Sequence, residues 1–257
     1  MKIQNMDKRP GYFFKASIAE KKIEINCYYK KIFFTCRDYL AQFDKPDFVV
    51  ETSLSEITSE WMNKNDFGDK YINSNEHDTG ISTDFVDAEV TLVFRKIAET
   101  MVNYGVLLLH GAAIAVNNRC YIFMAPSGTG KTTHIQNWLK VVPDAFVVNG
   151  DKPFIDVINK IAYGTPWCGK ENLNTNIGVP LAGLVILERS SINIIKRIDY
   201  KEMLLDLLQQ CYIPKDWDLA LNTYRLIGCL KDVPCYRLSC NMREESAIMA
   251  YKELYKV

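Results

Sequence analysis

A glycine-rich segment, placed between an apolar run and a helix-like stretch, constrains this chain more than any other feature. It reads Ala125-Pro-Ser-Gly-Thr-Gly-Lys-Thr132 and fits the pattern G-x-x-x-x-G-K-[ST], except that alanine stands at the first glycine. Tyr121 to Met124 before it are typical of a buried strand, and Thr132 to Lys140 after it are typical of a helix. Strand, glycine turn and helix in this order predict an α/β fold.

The same segment predicts a Walker A loop that binds the phosphates of a nucleotide. Backbone N–H groups of such a loop point inward, and the following helix adds the positive end of its dipole. Gly128 and Gly130 permit left-handed backbone and a close approach to phosphate. We expect Lys131 to reach the β- and γ-phosphates of ATP and the Thr132 hydroxyl to bind Mg²⁺. The predicted nucleotide-binding residues are Pro126, Ser127, Gly128, Thr129, Gly130, Lys131, Thr132 and Thr133.

Length and charge limit the alternatives. The chain has 257 residues, enough for one large domain or two modest ones. Its 31 Lys+Arg balance 31 Asp+Glu, which argues against broad electrostatic binding to nucleic acid or to an anionic membrane. We therefore expect neither nucleic acid nor membrane among the partners.

Cysteine usage and the first residues indicate a reducing compartment. The eight cysteines are spread through the chain, and no two have C-x-x-C spacing, so a zinc ribbon or a redox motif is not supported. The segment before Phe14 lacks the basic-then-apolar build of a signal peptide, and no apolar stretch approaches the roughly 18 residues of a membrane span. We expect a cytoplasmic protein whose cysteines fill the core.

The chain changes character near residue 85. Residues 1–85 have the composition of a β-rich region, with strands predicted at Ile23–Tyr29 and Lys31–Cys36, and a polar loop or boundary at Asn63–Ser82. Residues 86–257 are predicted to form the nucleotide-binding domain, which opens with a helix at Asp87–Tyr104. Further predicted strands are 106–109, 112–116, 145–148, 154–156, 160–163, 184–187 and 235–238; further predicted helices lie near 200–211, 216–229 and 243–255.

Several short motifs around the loop resemble one known family. A His110-Gly111 pair lies before the loop, and Asn149-Gly-Asp-Lys-Pro153 follows the next predicted strand. With the loop itself they resemble the HPr kinase/phosphorylase and phosphoenolpyruvate carboxykinase fold group, and especially its HPr kinase-like proteins. The resemblance covers about residues 87–257. It implies a phosphoenolpyruvate carboxykinase-like P-loop domain that binds ATP and Mg²⁺, preceded by the smaller β-rich region, and an oligomer is compatible with it.

The resemblance also implies roles for two residues. His110 matches the histidine that faces the transferred phosphate, and Asp151 matches one of two consecutive aspartates, of which one acts as base and one holds the metal. Gly150 stands where the second aspartate is expected, so the general base is open. Asp151 serves both tasks, another carboxylate such as Glu188 contributes, or the protein binds nucleotide without fast chemistry. Lys170, in a loop rich in glycine, is a weaker candidate for clamping an anion, and His134 is expected to be structural.

The function that these features predict is an ATP- and Mg²⁺-dependent kinase that phosphorylates a hydroxyl group on a protein, a peptide or a small molecule. The alternative is a non-catalytic nucleotide-binding accessory protein that presents a surface to a partner. The substitution of glycine at position 150 favours that alternative. The role of residues 1–85 is open between recognition of the acceptor, oligomerisation and capping of the catalytic sheet.

Overall fold

The computed structural model describes residues 10–66 and 85–256. The chain divides into two compact units, Met1–Thr100 and Met101–Val257. The predicted boundary between residues 85 and 86 falls at the start of helix α3 (Phe85–Val102), most of which belongs to the first unit. The loop predicted at Asn63–Ser82 lies mostly outside the described residues, and its first four residues belong to helix α2 (Leu54–Asp66).

The first unit contains a three-stranded sheet in the order β1-β2-β3. Strand β1 (Tyr12–Ile18) runs antiparallel to β2 (Lys21–Cys27), and β3 (Phe48–Glu51) runs parallel to β2. Buried residues alternate along β1 and β2, as expected for a sheet with one covered face. The strand predicted at Ile23–Tyr29 is thereby confirmed as β2.

The strand predicted at Lys31–Cys36 is wrong, because this segment forms helix α1 (Lys30–Thr35). Its β-branched and aromatic residues favour a strand in isolation, but that preference is weak against tertiary packing. In the helix, Ile32 is buried and the Phe33 ring packs edge-on against Phe14, with 5.5 Å between ring centroids.

The second unit is built on a nine-stranded sheet. Its strands are β4 (Val106–Leu108), β5 (Ala112–Val116), β6 (Arg119–Met124), β7 (Phe146–Asn149), β8 (Phe154–Asp156), β9 (Ile161–Tyr163), β10 (Gly178–Arg189), β11 (Ile194–Ile198) and β12 (Cys235–Cys240). Seven of them follow the order β4-β8-β9-β10-β6-β5-β7, while β12 pairs with β10, and β11 pairs with β12. The helices are α4 (Lys131–Val141), α5 (Tyr200–Gln210), α6 (Trp217–Gly228) and α7 (Glu244–Tyr255).

Helices cover both faces of this sheet. Alternate residues of a strand point to opposite faces, and the buried residues of β5, β6, β10 and β12 accordingly separate into two clusters. One cluster includes Ile122, Leu184 and residues of α5 and α6, and the other includes Phe123, Val185 and residues of α4 and α7. The predicted α/β class is confirmed.

The predicted elements of the second unit are found within a few residues, with two differences in the strands. Strand β10 is longer than the predicted 184–187, because its first residues pair with β9 before the rest pairs with β6 and β12. Strand β11 was not predicted. It pairs only with β12 and is largely exposed, so it lacks the continuous apolar run that marks a buried strand.

The eight cysteines all lie in the described residues and all are free thiols, and seven of them are buried. Burial raises the pKa of the Cys211 thiol to about 12. Within the described part of the chain, no helix has the length and apolar composition needed to cross a membrane.

Candidate active site

The predicted phosphate loop connects the end of β6 to the beginning of α4, as the sequence indicates. Gly128 and Gly130 have φ angles of 75° and 117°, which lie in the left-handed region that favours glycine. At Gly130 a Cβ atom would lie 2.2 Å from the Cε atom of Met242, so a side chain there would also have to displace the end of the Met242 side chain. Pro126 to Gly128 are exposed, and Thr132 and Thr133 are half-buried in the first turn of α4.

Lys131 is the first residue of α4 and its side chain is buried. Its Nζ donates a hydrogen bond to the carbonyl oxygen of Ala125 at 2.8 Å, so the ammonium lies across the loop. Burial lowers the pKa of Lys131 to about 8; the charge of Asp151 opposes this shift and that of Lys152 adds to it. A desolvated ammonium at a helix N-terminus is suited to bind an anion, which would restore its charge.

The sheet brings His110 and Asp151 to the edge where this loop begins. Strand β5 runs antiparallel to β6, with Ala112 opposite Phe123, so the residues before β5 lie beside the end of β6. Strand β7 is in turn antiparallel to β5, so the residues that follow β7 reach the same edge. The N–H of Gly111 donates to the carbonyl oxygen of Asp151 at 2.9 Å, which joins the two segments directly.

The side chains of His110, Asp151 and Lys152 form one cluster. The Nε2 atom of His110 lies 3.4 Å from Oδ1 of Asp151, and the ammonium of Lys152 contacts Oδ2. Burial alone would raise the pKa of Asp151, but the hydrogen bond from His110 and the charge of Lys152 outweigh it and hold that pKa well below its usual range. Asp151 is therefore a carboxylate throughout the physiological pH range.

Asn149 fixes the turn that presents this cluster. Its Oδ1 accepts hydrogen bonds from the backbone N–H groups of Asp151 at 2.9 Å and Lys152 at 2.6 Å, and its Nδ2 donates to Oγ1 of Thr165 at 3.0 Å. Asn149 is fully buried. The sequence prediction assigned no role to Asn149 and took Lys152, as an isolated basic residue, for a surface lysine. The signal that identifies them is an Asn-Gly-Asp turn directly after a buried strand, where asparagine commonly bonds to the backbone that follows it.

A second loop approaches Asp151 and carries Lys170. A Cβ atom on Gly169, whose φ is 82°, would lie 3.2 Å from the Cβ of Asp151, so the two segments are in close contact. Burial, with a further contribution from the charge of Asp151, raises the pKa of Cys168 in this loop to about 11. Cys168 is therefore a protonated thiol near neutral pH.

Glu188 lies away from the phosphate loop. Its carboxylate is bound by Arg237, and Ser239 Oγ donates to it at 3.3 Å, both on the adjacent strand β12. Arg237 also reaches Asp206 of α5, so Glu188 belongs to the α5 and α6 face of the sheet. Its neighbour Arg189 points to the other face and donates hydrogen bonds to two carbonyl groups of the phosphate loop. Glu188, which the sequence suggested as a further carboxylate for the site, therefore faces the other side of the sheet, and the neighbouring Arg189 contacts the loop instead.

His134 is packed in the core, in agreement with the structural role that the sequence predicts for it. It is buried, and its Nε2 accepts a hydrogen bond from Nε1 of Trp138 at 2.9 Å. Its ring lies 4.9 Å from that of Phe123, measured between centroids. Burial lowers the pKa of His134 to about 4, so the imidazole is neutral near pH 7.

Metal binding at this site would depend on few protein ligands. Within residues 10–66 and 85–256, no three His, Cys, Asp or Glu side chains are grouped as a metal centre would need. Mg²⁺ bound together with a nucleotide needs only one or two protein oxygens, since phosphate and water complete its octahedron. The Thr132 hydroxyl and the Asp151 carboxylate are chemically suited to this, although Lys152 already neutralises part of the carboxylate charge.

No protein-family model matches the chain, and no curated protein is significantly similar to it. The resemblance to the HPr kinase-like proteins therefore rests on the motifs of residues 87–257 themselves.

Proposed function

We propose that the second unit is an ATP-dependent kinase domain of the HPr kinase-like type, which transfers a phosphoryl group to a hydroxyl acceptor. One observation carries the proposal: the glycine loop with the buried Lys131 shares an edge of the sheet with the His110–Asp151 pair. Phosphoryl transfer needs these two components side by side, one for the phosphates and one for the attacking group.

The loop supplies three attractions for a polyphosphate. Its backbone N–H groups and the N-terminus of α4 provide partial positive charge, and Lys131 provides a full one when protonated. Lys152 adds a second buried ammonium, against the single carboxylate of Asp151. The excess of positive charge lies where the terminal phosphates would be transferred, and it needs no basic surplus in the chain as a whole.

Thr132 and Asp151 are the residues that would hold Mg²⁺ at this site. When bound, the ion supplies neutralisation of the charge that develops between the β- and γ-phosphates. The low pKa of Asp151 favours this role, because a metal ligand must be deprotonated.

His110 is the better candidate for the general base. A base works best when its pKa lies near the operating pH, and the pKa of Asp151 is far below that range. With Nε2–H directed at Oδ1 of Asp151, the neutral imidazole keeps its lone pair on Nδ1, where it can accept the proton of an acceptor hydroxyl. Asp151 then orients the ring and stabilises the imidazolium, and this division of roles does without the second aspartate.

A second candidate function is nucleotide binding without catalysis, in an accessory protein that presents a partner surface. The contact between the Lys152 ammonium and Asp151 favours this candidate, because it lowers the affinity of that carboxylate for both a metal ion and a proton. It is favoured also by the crowding at Gly150, where a Cβ would lie 3.1 Å from the carbonyl oxygen of Cys168. The usual second carboxylate cannot be accommodated there without movement of the backbone.

A phosphate-transfer assay separates the two candidates. The protein is incubated with γ-labelled ATP and Mg²⁺, alone and with serine-containing peptides, proteins or small alcohols. Lys131→Met serves as the inactive control, and Lys140→Met, on the exposed side of the same helix, as the matched control. Label transfer that Lys131→Met abolishes supports the kinase; tight nucleotide binding without transfer or hydrolysis supports the accessory protein; absence of binding contradicts both.

A further inference from the structure

Arg189 connects the strand beside the phosphate loop to the loop backbone. Its Nε donates to the carbonyl oxygen of Thr129 at 2.8 Å, and its Nη2 donates to that of Gly128 at 2.7 Å. One rigid guanidinium thus holds two consecutive carbonyl groups, which is a geometry that lysine cannot reproduce.

The position of Arg189 follows from the pairing of its strand. In the register of β10 with β6, Ile186 lies opposite Met124, the last residue before the loop, so β10 continues for three residues alongside the loop. The pairing of β10 with β12 continues to Arg189 opposite Cys240, and the next N–H, of Ser190, donates to the Cys240 carbonyl at 2.9 Å. The backbone of Arg189 is therefore fixed although its side chain is exposed.

Holding these carbonyls determines where the neighbouring amides point. In a trans peptide the C=O and the following N–H point in opposite directions. Fixing the carbonyls of Gly128 and Thr129 toward Arg189 therefore turns the N–H groups of Thr129 and Gly130 to the opposite side. The N–H of Thr129 closes a turn to the carbonyl of Pro126 at 3.3 Å, and that of Gly130 is the last one before the α4 helix.

Such a restraint matters because the loop contains two glycines. Gly128 and Gly130 adopt left-handed φ angles that are only a fraction of the conformations glycine can visit. Ordering them when a ligand binds would cost conformational entropy, which weakens affinity unless the loop is ordered beforehand.

We propose that Arg189 is a positioning residue of the phosphate loop, which holds the Gly128 and Thr129 carbonyls toward itself so that the N–H of Gly130 is directed at a nucleotide phosphate, and the turn closed by the N–H of Thr129 is kept, before the nucleotide arrives. The proposal rests on the proposed nucleotide-binding function. It assigns to Arg189 no contact with the reacting atoms.

The experiment compares Arg189→Ala and Arg189→Lys with wild type and with Arg225→Ala, a matched control in which an exposed arginine of α6 is removed. Two quantities are measured: hydrogen exchange of the amides of residues 128–132 without ligand, and the dissociation constant for Mg-ATP. For Arg189→Ala we expect faster exchange in the loop, about tenfold weaker binding, and an unchanged melting temperature. Arg189→Lys should restore part of the affinity, and Arg225→Ala should match wild type.

The two levels of the proposal fail separately. If wild type binds Mg-ATP and Arg189→Ala binds it equally well, the positioning role is wrong and the proposed nucleotide binding stands. If wild type does not bind Mg-ATP, the proposed function is wrong, and so is the positioning role that depends on it.

Discussion

His110 and Asp151 are far apart in the sequence, yet Nε2 of the imidazole lies 3.4 Å from the carboxylate oxygen Oδ1. The strands β5 and β7 produce this contact, because they pair antiparallel and place the residue before one next to the residue after the other. The hydrogen bond from the N–H of Gly111 to the carbonyl oxygen of Asp151 holds the two backbone segments together beside this contact. Each residue lies two positions outside its strand, in turns that this backbone hydrogen bond ties to each other.

The first prediction concerns the base. His110→Asn should lower kcat for phosphate transfer by about 10²–10⁴-fold, which is the usual contribution of a positioned acid–base group. The affinity for Mg-ATP should stay within a factor of a few, since the loop is untouched. A His110→Asn variant with the wild-type kcat would show that another group is the base.

The second prediction concerns Lys131, whose pKa is lowered to about 8 by burial. Phosphate beside the ammonium stabilises its charged form, so at pH 8 nucleotide binding should take up roughly half a proton per site. Calorimetry in buffers of different ionisation enthalpy measures this uptake. It should fall toward zero at pH 6.5, where the lysine already carries its proton. Binding at pH 8 without proton uptake would mean that Lys131 does not contact the phosphates.

The third prediction concerns the missing aspartate. Gly150→Asp should not raise the rate of transfer, because a Cβ at this position would lie 3.1 Å from the carbonyl oxygen of Cys168 and 3.3 Å from that of Leu173. Backbone must move to admit it, and we expect the free energy of unfolding to fall by about 1–3 kcal/mol. Gly228→Ala is the control, since no atom lies within 4 Å of a Cβ there. Denaturant unfolding compares the two; higher activity of Gly150→Asp at full stability would contradict the account.

The fourth prediction concerns acid stability. The pKa of His134 is lowered to about 4 in the folded protein, whereas an unfolded histidine titrates near 6.5. Between these values the unfolded chain binds the extra proton, so this histidine should cost about 2–3 kcal/mol of stability as pH falls from 7 to 4. His134→Gln keeps an acceptor for Trp138 but does not titrate, and should lose less stability over the same range. Urea unfolding at pH 7 and pH 4.5 checks this difference.

The sequence predicted those parts of the fold that local pattern determines. Continuous apolar runs identified the buried strands β5 to β7, and the glycine loop located the beginning of α4. The errors lie where tertiary packing decides: α1 has the composition of a strand, and the edge strand β11 has no buried face to mark it.

The sequence named members of the candidate site but not the contacts between them. His110, Lys131 and Asp151 followed from motifs, and the structure brings them to one edge of the sheet. Adjacent residues of a strand point to opposite faces of the sheet, so a shift of β10 by one residue would decide whether Glu188 or Arg189 reaches the loop. Lys152 was undervalued because an isolated lysine is usually exposed, whereas here it is buried against Asp151 in the turn that Asn149 holds.

The central claim, that residues 125–133 form a nucleotide site, is tested most directly by calorimetric titration of Mg-ATP into wild type, Lys131→Met and Lys140→Met. Wild type and Lys140→Met should bind with equal dissociation constants, within roughly the 1 μM to 1 mM range of enzyme substrates. Lys131→Met should bind at least about 100-fold more weakly, because a charge-assisted contact to phosphate is removed from a buried position. Equal binding by all three proteins, or no binding by wild type, would contradict the account.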